Sequence, residues 1–151
     1  MRPAWRFWIP VAIWILVIST FSTDSFSADH TRGIILSVLQ FLFPSMAEDQ
    51  LRFWHGVCRK AGHVTEYFIL GALVWRAFRE GSSLRNAMVP WAAGLLVLSV
   101  ALFDEFHQSF VPSRTASIVD VGYDFAGGAI ALLLLQVLSR EPRSLHSHSV
   151  L

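Results

Sequence analysis

Residues 102–128 read LFDEFHQSFVPSRTASIVDVGYDFAGG, and they set Asp104, Glu105, His107, Gln108, Arg114, Asp120 and Asp124 between two strongly apolar runs. The chain around them is 54% hydrophobic and 15% charged, with a mean hydropathy of +0.49. Those are values of an integral membrane protein rather than of a soluble domain. Polar groups so dense at the edge of an apolar run form either a solvated loop or a polar site at the membrane surface.

Outward from this stretch, four apolar runs read as membrane-crossing helices: 5–21, with Trp5 and Trp8 in an interfacial aromatic belt, then 60–78, 87–103 and 118–138. The first resembles a signal peptide in its Arg2 and Arg6 flank, but no small-residue cleavage site follows closely, so it reads as a retained helix. Hydroxyls at Ser19, Thr20, Ser22, Thr23, Ser25 and Ser27 close it, to cap the helix end or to bond a neighbour. Residues 33–44 are too few to span and leave a narrow polar stripe, which fits a short interfacial or re-entrant helix. Residues 45–60 are polar and aromatic and read as a surface connection anchored by Phe53 and Trp54. In the last helix the pairs Gly122/Ala126 and Gly127/Ala131 offer small residues for close helix approach. The expected fold is all-α: four transmembrane helices over 7–138 with the short helix after the first, and a polar, disordered cytoplasmic tail at 139–151.

Charge orients this bundle. With both termini in the cytoplasm, the inner segments carry seven arginines, Arg2, Arg6, Arg76, Arg79, Arg85, Arg140 and Arg143, against Glu80 and Glu141. The longer outer segments carry five basic residues and nine acids, so the positive-inside rule is met in a multi-pass cell-membrane protein. Lys60, His63 and Glu66 then open the second helix, Asp104, Glu105 and Gln108 close the third, Arg114 follows, and Asp120 and Asp124 open the fourth. All converge at one end of the bundle. Carboxylates that lie a turn or more inside, Glu66 and Asp124, are expected to face the bundle and find cations. Lys60, His63, Tyr67 and Leu70 share one helix face.

Two separated elements, RKAGHVTEYFILG at 59–71 and DEFHQSFVPSRTASIVDVGYDFAGG at 104–128, resemble those of the VanZ-like membrane proteins, with their K-x-x-H-x-x-x-Y and D-E-x-x-Q-x-F-x-P-x-R patterns. The likeness extends from about residue 7 to 138. The resemblance implies a small multispan protein, linked in the founding members to low-level teicoplanin resistance without an agreed activity. It carries over Lys60, His63, Tyr67, Asp104, Glu105, Gln108, Arg114 and Asp120 as site residues. Asp124 stands where the pattern more often has Asn, which changes the local charge.

Three functions compete for this cluster. The first is a ligand site formed by Lys60, His63, Tyr67, Asp104, Glu105, Gln108, Arg114, Asp120 and Asp124 for an anionic or glycosylated envelope component, a membrane lipid or cell-wall precursor, with arginine supplying a planar fork. The second is an interfacial hydrolase or transferase on a lipid-linked substrate, with Asp104 or Glu105 as general base, His63 as acid or base and Arg114 as clamp. The third is a set of ion pairs that holds helices together, Arg114 with Asp120 among them. No cofactor is expected, and no metal, because His63, Glu66, Glu105, His107 and Asp120 match no ligand spacing; His146 and His148 read as part of the tail. A net charge of +1 excludes a nucleic-acid binder, and the single Cys58 excludes an intrachain disulfide. Oligomeric state is not readable from these residues.

Overall fold

The computed structural model describes residues 3–23, 28–112 and 116–139, with backbone alone at 28–32 and 34. Arg2, Asp24, Ser25, Ser27, Arg114, Arg140, Glu141, Arg143, His146, His148 and the tail from 140 lie outside the described residues, as do the side chains of Asp29 and Arg32. Five helices make up the described chain: α1 (Trp5–Phe21), α2 (Ala28–Leu42), α3 (Glu48–Gly81), α4 (Val89–Gln108) and α5 (Ile118–Leu138).

Local chemistry explains most of the boundaries. Glu48 and Asp49 occupy the first turn of α3, where carboxylates suit the positive end of the helix dipole, and the Ala47 amide donates to Gln50 Oε1 at 3.2 Å. Pro90 stands at the start of α4, where its missing N–H costs nothing. Ser117 caps α5 by accepting the Val119 amide at 3.2 Å. At the end of α1, the Thr20 and Thr23 hydroxyls donate to the Leu16 and Thr20 carbonyls.

The central element is α3, which packs against all four other helices and most extensively against α5, while α1 barely touches α4. Its face of Tyr67, Leu70 and Val74 is fully buried. The matching seam on α4 is Val89, Ala93, Val97 and Ala101, spaced four residues apart on one face. At its last turn the same seam becomes Asp104, Glu105 and Gln108, still buried. Meanwhile large apolar side chains cover the outside: Trp91 is 81% exposed, Leu95 67% and Leu133 62%. Such a contiguous apolar exterior marks a surface that meets something other than water.

Several expectations change. Two helices, Val89–Gln108 and Ile118–Leu138, are long and apolar enough to cross a membrane, not four. The 17 residues of α1 are apolar but short, and the span expected at 60–78 is the second part of a single helix of 34 residues with charges along its first half. Residues 45–60 are therefore no surface connection: from Glu48 they are helix, since Gly56 alone does not break a segment that holds no proline. The third apolar helix runs five residues beyond Phe103, which draws Asp104, Glu105 and Gln108 into its last turn, and the short helix begins at Ala28 instead of Gly33. Of the two small-residue pairs, Gly127/Ala131 packs inward, whereas Gly122 faces open space and Ala126 is exposed.

Candidate functional site

The end of α1, the middle of α3, the end of α4 and the start of α5 meet around a cluster of carboxylates. Asp104 is 4% exposed, its Oδ1 accepting from the Ser22 hydroxyl and its Oδ2 from Gln108 Nε2 at 2.9 Å. Gln108 Nε2 also lies 3.4 Å from the Ser22 oxygen. Asp104 Oδ1 thus ties the end of α1 to α4, while Oδ2 is held by Gln108 one turn along α4. A buried hydrogen bond to a charged acceptor is worth about 1.5–3 kcal/mol. Ser22→Ala is therefore expected to lower stability by roughly 2 kcal/mol in a denaturant titration of the detergent-solubilised protein; no change would mean that the Ser22–Asp104 bond does not hold α1 in place.

The adjacent residue on the same helix, Glu105, accepts through Oε2 the backbone N–H of Ser117, the capping residue of α5, at 2.7 Å. Its other oxygen, Oε1, is buried without a hydrogen-bond partner among the described residues. Asp124, fully buried in α5, faces His63 of α3, with Nδ1 3.1 Å from Oδ1, and its Oδ2 is likewise unpartnered among the described residues. The Tyr67 hydroxyl is the third such atom. Asp104, Asp124, Glu66 and Glu105 all lie within electrostatic reach of it.

At the rim, Lys60 Nζ stands 3.5 Å from Asp120 Oδ1 and Arg59 4.0 Å from Asp120 Oδ2, while the same ammonium lies 4.0 Å from the centre of the Tyr123 ring. Both cations are about two-fifths exposed, so this pair is a wet boundary of the site and contributes little to stability. Asp120 thus takes Lys60 and Arg59; Arg114, its expected partner, lies outside the described residues.

The residues singled out in sequence, Lys60, His63, Tyr67, Asp104, Glu105, Gln108, Asp120 and Asp124, therefore converge. Of the two deep carboxylates, Asp124 does meet a cation-capable partner, and Glu66 is half-buried, its backbone carbonyl accepting the Trp14 indole N–H at 2.9 Å. His107 is exposed and, with Asp104, lines a crevice between α1 and α4. Among the described residues no three His, Cys, Asp or Glu side chains are placed to hold a metal ion. Three participants escaped sequence reasoning. Arg59 carried a signal in the Arg59-Lys60 doublet, Tyr123 carried one in its spacing of three from Asp120, and Ser22 could not be told from the hydroxyls around it.

The family model VanZ/LLP1 matches residues 7–139, nearly the whole chain, and its span encloses both sequence elements and every described member of this cluster. The chain belongs to the VanZ/LLP1 family. No curated protein sequence and no solved structure matches it. The VanZ/LLP1 assignment and the two long apolar helices together support a membrane location.

Proposed function

We propose that this VanZ/LLP1 protein crosses the membrane four times, with both termini cytoplasmic, and binds a glycosylated cell-envelope component at the outer surface through the carboxylate cluster. The observation that carries the reading is a trio of buried polar atoms without a partner among the described residues, Glu105 Oε1, Asp124 Oδ2 and the Tyr67 hydroxyl, between apolar helices. A buried polar group without a partner costs on the order of 1–3 kcal/mol, so three together favour a ligand that satisfies them. Two are acceptors, and among the described residues the nearby cations Arg59 and Lys60 are engaged with Asp120 while His63 faces Asp124. Sugar hydroxyls or an amine suit such a site better than a bare anion. The ligand class is a glycosylated lipid headgroup or cell-wall precursor, and a change in teicoplanin susceptibility would follow from holding such a precursor. The crossings of α1 and α3 are supported by the apolar exterior of α1 and by the length of α3, about 51 Å against a hydrocarbon core of about 30 Å.

One observation favours a second reading, an interfacial hydrolase or transferase: the Asp124 carboxylate orients the His63 imidazole as a general base requires. Glu105 and His63 are its candidate acid–base groups.

The deciding experiment is complementation of a deletion strain with Glu105→Gln, His63→Ala or wild type, scored by envelope-precursor profile and teicoplanin susceptibility with membrane protein levels measured. Variants that accumulate normally yet fail to complement are expected. An accumulated precursor would favour the enzyme, and disappearance of every variant from the membrane would reduce the cluster to helix glue.

A further inference from the structure

At the opposite end of the bundle from the carboxylates, α3 and α5 enclose a cleft of about 570 Å³ that neither reading uses. Its inner wall is apolar, formed by Ala72, Trp75, Leu135 and Leu138, while Arg76, Arg79, Glu80 and Ser139 form its mouth. The two guanidiniums are braced on aromatic rings: Arg79 lies 5.8 Å from the centre of Trp75 and Arg76 5.7 Å from that of Phe7. Glu80 is 3.8 Å from Arg76, which leaves the mouth with two cations against one carboxylate. Arg76 faces Glu80 through its Nε, and the planar N–H fork of a guanidinium suits a planar or tetrahedral oxyanion.

We infer that this cleft holds an anionic phospholipid, its phosphate between Arg76 and Arg79 and one acyl chain against the Ala72, Leu135 and Leu138 wall. The inference rests on the membrane arrangement proposed above. The 21 residues of α5 measure about 32 Å, one hydrocarbon thickness, so the arginines stand at headgroup depth in the leaflet facing the cytoplasm. That leaflet carries the anionic lipids that basic pockets between helices attract. A soluble phosphate would fill the mouth and leave the apolar half of the cleft wet; an amphiphile matches both halves.

The test uses the full chain, delipidated in detergent and titrated with phosphatidylglycerol or phosphatidylcholine under native mass spectrometry. Wild type is expected to retain phosphatidylglycerol about tenfold better than phosphatidylcholine, and the double variant Arg76→Gln/Arg79→Gln to lose that preference. Arg85→Gln, which removes one such charge outside the cleft, is expected to keep it. Leu138→Trp, which fills the chain-binding half and leaves both arginines, should weaken phosphatidylglycerol binding even if the double variant folds poorly. Equal retention of the two lipids by wild type, or unchanged preference in the double variant, overturns the inference. So does competition by inorganic phosphate as effective as that by phosphatidylglycerol, which would make this a soluble-anion site. Lipid retention in detergent is read independently of complementation by His63→Ala and Glu105→Gln, so either idea can fail alone.

Discussion

Gly127→Ala is expected to separate α3 from α5 and to cost about 3 kcal/mol or more, the upper end of what overpacking does. A methyl group at 127 would overlap the backbone carbonyl of Val64, and no side chain is present there to rotate away. The neighbouring contacts leave no slack: a Cβ at Gly71 would come within 2.7 Å of the Gly128 carbonyl oxygen, and one at Gly128 would overlap Val97 of α4. Close backbone approach of this kind is how helices associate where lipid removes the hydrophobic drive. Gly122→Ala is the matched control, because nothing lies within 4 Å of its Cβ position and alanine is the better helix former by up to about 1 kcal/mol. Unfolding in detergent, followed by circular dichroism, separates the two. Equal stability of Gly127→Ala and wild type would show that α3 and α5 are not in backbone contact.

The second large effect belongs to Asp124. With its side chain fully buried and one oxygen 3.1 Å from His63, Asp124→Leu leaves the imidazole facing an apolar wall. Breaking one partner of a buried pair typically costs about 3–5 kcal/mol. The double variant His63→Leu/Asp124→Leu should be less damaged than the sum of its parts, with a coupling of about 1–3 kcal/mol, since neither half of the pair is stranded. Both variants are expected to fail in complementation, because both lack the carboxylate. Stability would then recover where function does not, an outcome that helix glue could not produce. Strict additivity of the two substitutions would mean that the pair does not interact.

Much of this arrangement could be read from residues alone because it follows from order along the chain. Once 87–103 and 118–138 are antiparallel neighbours, Asp104 and Asp120 must lie at the same end, and the spacing of Lys60, His63 and Tyr67 turns them together. The boundaries of α5 came from the apolar run at 118–138. Charge was the misleading signal. Residues 48–59 are too polar for lipid, yet polarity does not prevent a helix, and α3 continues through them. The same bias placed Asp104, Glu105 and Gln108 beyond the helix that in fact contains them. Which oxygen meets which hydrogen was out of reach, because Ser22 and Asp104 are 82 residues apart and only packing brings them together.

Glu105 holds Ser117, the residue that caps α5, by one oxygen and offers the other to the site. Such a carboxylate cannot swivel to meet an approaching ligand without releasing the helix it anchors. Selectivity at this position would therefore come from stereochemistry rather than accommodation: a hydroxyl at the right height and angle is accepted with little ordering left to lose, and its epimer is refused.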